Sequence, residues 1–281
     1  MQRCAFKTLA LDYKVIFFDA YGVLKNYRGM TPGIKATFDY LTERDIEFFV
    51  LTNDASRGPA ELAEVYQRAG ITQIDEQKVV SSGMLARDYL RFKVRTGVIA
   101  YLGTPASAHY IETMGLEAIS IKDLDLNDAD QINALVLLDD EGFDWNHDIN
   151  KAVNLLRLRN IPVIVANTDA SYPVARGQIA VSIGAVGDLL ERVVRRTFIR
   201  FGKPEAQMFN FAFEHVQKYR QVTKNDILMV GDTLSTDIMG GNHFGIDTAL
   251  VLTGNTLPHM ADILIESTGI VPDFICDSAV I

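Results

Sequence analysis

Apolar residues in this chain gather in short unbroken runs, and between the runs they recur every three or four positions. Val15-Ile16-Phe17-Phe18 runs straight into Asp19, and Gly22 follows three positions later. An apolar run of this length, ended by a turn signal, predicts a strand buried on both faces. Over residues 33–42, Ile34, Phe38 and Leu41 fall on one helical face, and 46–51 is a second apolar run ending in Thr52-Asn53-Asp54. Two strands joined by a helix make a βαβ unit, parallel and with both C-terminal ends on one edge. That pairing puts Thr52 and Asn53 beside Asp19. After Ser56-Arg57-Gly58-Pro59, the residues Leu62, Val65, Tyr66 and Ala69 form the expected buried stripe of a further helix, closed by Gly70.

The organisation changes near 79–83, which reads as a short strand and turn. Residues 98–102, 134–138 and 162–166 are three more strand candidates, and 145–159 is helical with Ile149, Ala152, Val153 and Leu156 on one side. LVLLDDEG and VIVANTDAS echo IFFDAYG and FFVLTNDAS, but 34 residues separate Asp19 from Asn53 and 28 separate Asp139 from Asn167. The middle block is therefore a second α/β unit rather than a repeat, inserted between two halves of the first. The first domain resumes near Phe198. Gly202-Lys203-Pro204 precedes a helix carrying Met208, Phe211, Ala212 and His215, and 227–230 is a buried strand ending in Gly231-Asp232. A helix over 235–244 and strands at 249–252 and 274–276 close the chain. The expected domains are 1–83 with 197–281, and an inserted 84–196.

Length and composition narrow the class. At 281 residues the chain has room for about two domains, and 48% apolar with 22% charged residues is ordinary for a soluble globular protein. A net charge of -9 argues against a nucleic-acid partner, because a phosphate backbone wants a basic face. Only Cys4 and Cys276 are present, without metal-type spacing, which points to a reducing compartment. No apolar stretch suits a signal peptide or a membrane span, so the expectation is a cytoplasmic protein with no membrane partner.

Three strand ends then offer Asp19, Thr52-Asn53 and Asp232, with Lys203 at a helix start and Asp237 five residues after Asp232. A strand-end Asp can be a covalent nucleophile, a hard-metal ligand or simply a cap. Together with the others it suits one task, holding a phosphoryl group against a nucleophile. Two carboxylates can bind Mg²⁺, which prefers oxygen. A hydroxyl, an amide, an ammonium and the main-chain amides of Ala20 and Tyr21 can hold phosphate oxygens.

DAYGVL (19–24), TNDASR (52–57), GKP (202–204) and GDTLSTD (231–237), continued by IMGGNHFGIDTALVLTG (238–254), resemble the haloacid dehalogenase superfamily and its class IIA, NagD-like phosphatases. The resemblance implies an α/β fold: a Rossmann-like core with a parallel sheet, plus an inserted α/β cap of type C2a. It implies Asp19 as nucleophile and metal ligand, Tyr21 as a ligand through its carbonyl, and Asp232 and Asp237 on the Mg²⁺ side. Ala20, Tyr21, Thr52, Asn53, Asp54 and Lys203 fall on the phosphate side, and Asp19, Tyr21 and Lys203 are the catalytic set. Small phosphorylated metabolites, sugar phosphates or nucleotides, are the implied substrates, selected by a cap that closes over the site. Caps of this class often contribute to dimers, so a homodimer is compatible with the resemblance.

One position departs. Phosphatases of the superfamily carry an Asp two residues after the nucleophile to protonate the leaving oxygen, and here Tyr21 stands there. DAYG resembles the 2-haloacid dehalogenases instead, which need no acid. Asp232 favours the metal-dependent reading, whereas Lys203 fits both. The expectation is phosphatase architecture with weakened or altered activity. The alternatives are a metal-independent dehalogenase-like hydrolase and a phospholigand-binding protein without turnover. Elsewhere, His215 is expected in the core, and Asp139-Asp140-Glu141 is either a solvated turn or a substrate contact. Asn167-Thr168-Asp169 is an Asx-type turn or a substrate-facing loop. Residues 184–187 are a turn into a helix starting near Asp188, with phosphate cradling as the alternative, and Arg57 pairs with phosphate or with a surface carboxylate.

Overall fold

The computed structural model describes residues 2–176 and 178–281. The chain divides into two compact units: unit 1 holds the residues up to Thr52, Pro59–Val80 and Lys203–Ile281, and unit 2 holds Asn53–Gly58 and Ser81–Gly202. The first strands are β1 (Gln2–Arg3), β2 (Val15–Phe18), β3 (Glu47–Thr52) and β4 (Val79–Ser81). Unit 2 follows with β5 (Val98–Leu102), β6 (Glu117–Ser120), β7 (Ile132–Leu137), β8 (Val163–Val165) and β9 (Ile199–Arg200). The chain returns to unit 1 with β10 (Ile227–Gly231), β11 (Asp247–Val251) and β12 (Phe274–Cys276).

In unit 1 the strands form one sheet in the order β1-β12-β11-β10-β2-β3-β4. β2 lies inside the sheet, parallel to β10 and β3, with Phe18 opposite both Val230 and Val50. Alternation along β2 supplies both faces of the core. Phe18 meets Phe6 and Phe38 edge-on, and Phe38 meets Phe48. On the other face Phe17 meets Phe49, which in turn meets the ring of His215. Each buried ring is worth roughly 1.5–3 kcal/mol of apolar transfer, and together they fix which strand edge carries Asp19 and Asp232. His215 is a core histidine: its Nε2 lies 2.8 Å from the Gln77 carbonyl, and burial lowers its pKa.

The helix over Ile34–Glu43 buries Ile34, Phe38 and Leu41 as the spacing predicts. The next, Pro59–Arg68, buries Leu62, Ala63 and Tyr66, while Val65 is half-buried and Ala69 exposed. Ala69 lies beyond the last helical residue, so the expected stripe does not extend to it. In Ala206–Gln217, Phe209 takes the deep position and stacks on Phe244, leaving Phe211 half-buried. The segment expected as a turn at 81–83 opens a helix, Ser82–Tyr89, directly after β4. Its serines look turn-like in sequence, but the Ser81 hydroxyl pairs with Tyr110 and the Ser82 hydroxyl donates to the Asn53 carbonyl.

Unit 2 is a five-stranded parallel sheet, β9-β8-β7-β5-β6, with a two-stranded hairpin of Ser171–Ala175 and Gln178–Val181. The apolar runs announced β5, β7 and β8. β6 escaped notice because it is a half-exposed edge with Glu117 in it, and β9 because it is two residues long. The helix expected near Asp188 begins at Ile183 and runs to Val194. Gly184 sits inside it, where a Cβ would come within 2.5 Å of the Asp169 carbonyl oxygen, so this glycine serves packing rather than a turn.

Candidate active site

Asp19 continues β2 by one residue, its N–H donating to the Val230 carbonyl at 2.9 Å. The chain then turns back, with the Leu24 and Lys25 amides both donating to the Ala20 carbonyl at 3.0 Å. Gly22 makes this turn at φ +93°, a region that side chains rarely adopt. A Cβ there would lie 2.1 Å from Asp232 Oδ2, and one at Gly254, in the loop after β11, would lie 1.8 Å from the same oxygen. Two glycine backbones thus form a cradle that admits the Asp232 carboxylate and nothing larger. Thr253 ties the cradle together, its hydroxyl donating to the Gly22 carbonyl at 2.6 Å. Asp232 is oriented by the Asn255 N–H on Oδ2 (2.5 Å) and the Thr233 hydroxyl on Oδ1 (3.0 Å).

Asp237 arrives on a wide helical turn, Leu234–Ile238, of the π type rather than the regular α-helix the sequence predicts from 235. Such turns recur at functional sites. Here the turn lets Asp237 accept the Thr233 N–H at 3.1 Å while also meeting Lys203. The Lys203 ammonium donates to Asp19 Oδ1 at 2.5 Å and to Asp237 Oδ1 at 2.6 Å. Lys203, Asp232 and Asp237 are buried and Asp19 is half-buried. One oxygen from each of Asp19, Asp232 and Asp237 lies within 4.8 Å of the others.

Three carboxylates therefore share this space with one paired ammonium among the described residues. Burial works against the Lys203 charge, but Asp19 and Asp237 outweigh it and raise the pKa. Asp232 is pushed well above the usual carboxylate range by burial and then by Asp19 and Asp237. Burial also raises Asp237, against the pull of Lys203. A buried excess of negative charge in an oxygen-only donor set fits a hard divalent cation, which prefers such ligands and keeps some of its waters.

The remaining expected residues divide between the units. Thr52 is buried at the end of β3. Tyr21 is half-buried and pairs as a backbone bridge with Lys25; burial, then Tyr27, raises its phenol pKa. In unit 2, the Asn53 amide donates to Thr168 Oγ1 (3.2 Å) and Asp169 Oδ1 (2.9 Å). Asp54 accepts the Ser56 N–H and hydroxyl at 3.0 and 2.6 Å, a local turn. Asn167 is likewise an Asx turn, accepting the Asp169 N–H at 2.9 Å. The exposed Arg57 contributes its carbonyl to the Tyr110 hydroxyl at 2.8 Å. Sequence reasoning gave no role to Thr233, Gly254 and Asn255. For Gly254 and Asn255 the signal was the L-T-G-N-T turn ending a buried strand on the same sheet edge as Asp19 and Asp232, and for Thr233 its place directly after Asp232.

Residues 16–117 match the haloacid dehalogenase-like hydrolase family, and residues 200–279 match a HAD-hydrolase-like family. The chain is 53% identical to a possible sugar phosphatase of the HAD superfamily from Cytophaga hutchinsonii. That solved structure superposes with a TM-score of 0.95, covering 100% of this chain and 99% of the other. Glycerol-3-phosphate phosphatase from Gallus gallus is 28% identical over 97% of this chain and 91% of its own length. A glycerol phosphate phosphatase from Mycobacterium tuberculosis, solved in complex with magnesium, shares the fold at a TM-score of 0.78 and 24% identity, over 96% of this chain and 77% of its own. By its fold, its strand-end carboxylates and these matches, the chain belongs to the haloacid dehalogenase superfamily of hydrolases, as a NagD-like phosphoric monoester hydrolase.

Proposed function

We propose that this chain is a Mg²⁺-dependent phosphatase of small phosphomonoesters, sugar phosphates or nucleotides, acting through an aspartyl-phosphate on Asp19. The observation that carries the reading is the buried group of Asp19, Asp232 and Asp237 around the single Lys203 ammonium. An Asp19 oxygen attacks phosphorus, a P–O bond forms, and the ester oxygen leaves with its electron pair. Water then attacks phosphorus, the Asp19–phosphate bond breaks, and inorganic phosphate is released with Asp19 regenerated. Lys203 offsets the charge of the phosphate oxygens and positions Asp19, while the Ala20 and Tyr21 amides and the Thr52 hydroxyl hold the phosphoryl group. Asp19, Asp232 and Asp237, with the Tyr21 carbonyl, would hold the Mg²⁺, which supplies charge neutralisation between carboxylate and phosphate. Asn53 and Asp54, expected on the phosphate side, lie in unit 2, where their side chains meet Thr168, Asp169 and Ser56.

Tyr21 sets the range of substrates. A phenol whose pKa is raised from an already high value donates a proton poorly, so esters with good leaving groups are favoured. The same residue favours a second reading, a metal-independent hydrolase of the dehalogenase type. A panel of phosphorylated metabolites, p-nitrophenyl phosphate and a 2-haloacid, each assayed with Mg²⁺ and with EDTA, separates the two. Phosphate release that EDTA abolishes is expected. Halide release unaffected by EDTA would establish the second reading, and saturable binding without product would establish a phospholigand-binding protein.

A further inference from the structure

The two cysteines of this chain are 272 residues apart in sequence, and their sulfurs lie 3.9 Å from each other. We propose that Cys4 and Cys276 are a reversible redox pair, closed to a disulfide by a peroxide, that staples β1 to β12. The geometry begins with the strand register. Gln2 lies opposite Phe274 and Arg3 opposite Ile275 in a parallel pairing, and the Cys4 N–H extends it by donating to the Ile275 carbonyl at 3.1 Å. Cys4 therefore stands level with Cys276 on neighbouring strands. Strands pair at about 4.8 Å, and disulfides span Cα separations of about 4.4–6.8 Å. Both thiols lie on the same face of the sheet, so side-chain rotation closes the remaining gap without moving either strand.

The two sulfurs differ in access. Cys276 is buried, and burial followed by the nearby Cys4 pushes its thiol up to about 12. It stays protonated and does not start the reaction. Cys4 is only half-buried at the end of an edge strand, where a small oxidant reaches it. The Cys4 thiolate attacks hydrogen peroxide: an S–O bond forms, the O–O bond breaks, and hydroxide leaves. Cys276 sulfur then attacks the Cys4 sulfenic acid. The S–S bond forms, the S–O bond breaks, and water leaves, carrying the Cys276 proton. In total two thiols are oxidised by two electrons and one peroxide is reduced to two waters.

The reduced edge is weakly held, which gives the staple an effect. β1 pairs over two residues, and its Arg3–Asp262 ion pair is exposed on both sides. The disulfide would close nearly the whole chain into one loop and so restrict the unfolded state. The edge is separated from β10, which carries Asp232, by β12 and β11, so the staple changes stability and leaves turnover unchanged.

The test uses the full chain, reduced and then treated with stoichiometric hydrogen peroxide. Thiols are counted after alkylation in denaturant, and peptides are mapped by mass spectrometry. Loss of both thiols together is expected, with a linked Cys4–Cys276 peptide lighter by two hydrogens and restored by dithiothreitol. The oxidised form should melt several degrees higher, on the order of 5 °C. Cys4→Ser should show neither the shift nor loss of the Cys276 thiol. Cys4 stopping at sulfinic acid with Cys276 still alkylatable, a disulfide joining two copies, or both thiols surviving peroxide would each overturn the proposal.

Discussion

Both units set carboxylates at the ends of parallel strands, and they treat the charge in opposite ways. In unit 1, Asp19, Asp232 and Asp237 are drawn together around Lys203, with backbone N–H groups donating to Asp232 and Asp237. In unit 2, Asp139 and Asp140 follow β7 and are half-buried, supported by a backbone N–H, the Thr104 hydroxyl and the Tyr172 hydroxyl. Among the described residues neither of these two is ion-paired. Burial, then Asp140 and Asp54, raises Asp139 to about 6. Unit 2 thus relieves its charge with hydroxyl and N–H donors and a raised affinity for a proton, whereas unit 1 concentrates charge that a cation would relieve. A strand-end carboxylate does not make a site. What compensates it does.

The comparison breaks most visibly at the nucleophile. Asp19→Asn is nearly isosteric, and it should lower turnover at least about a hundredfold while the melting curve stays within a degree or two. Steady-state assays and circular dichroism check this, and retained activity contradicts the assigned role. Lys203→Ala removes the ammonium from between two carboxylates. It should raise KM, lower kcat and cost roughly 3–5 kcal/mol of stability, because Asp237 is left buried and unpaired. Added Mg²⁺ should recover part of that loss in a thermal melt. Tyr21→Asp should raise kcat on alkyl phosphates by about 10-fold and leave p-nitrophenyl phosphate nearly unchanged. A wild type that already hydrolyses alkyl and aryl esters equally fast would show that another group supplies the proton.

The smallest effect belongs to unit 2. The folded pKa of Asp139 is raised above the ordinary carboxylate value, so the folded state holds its proton more tightly than the unfolded one. That contribution is fully present below about pH 4 and is lost as pH rises through about 6. Asp139→Asn should therefore stabilise the chain at pH 7.5 by about 1 kcal/mol, after allowing for solvent screening, and have little effect at pH 4. Melting temperatures at the two pH values decide it. Equal shifts at both would show that packing, not charge, is responsible.

Unit 1 was largely legible in the sequence because its central strands are apolar on both faces, and such runs end abruptly at Asp19, Thr52 and Asp232. The parallel βαβ rule then put those ends on one edge. The cradle was not legible. Gly254 and Asn255 reach Asp232 through a loop whose contacts span more than twenty residues, and no periodicity encodes that approach. The partners of Asn53 were not legible either: its amide is engaged with Thr168 and Asp169, more than a hundred residues away. Short edges such as β6 and β9 carry too few apolar residues to announce themselves, and a glycine inside a helix, as at Gly184, reads as a turn.

The central claim is that the Asp19–Asp232–Asp237 cluster is built for a divalent cation and the acidic turn of unit 2 is not. Calorimetric titration of Mg²⁺ into the wild type, Asp232→Asn and Asp139→Asn tests it without reference to any substrate. One saturable site per chain is expected in the wild type and in Asp139→Asn, weakened at least about tenfold in Asp232→Asn. Binding that survives Asp232→Asn unchanged, or that disappears with Asp139→Asn, would contradict it.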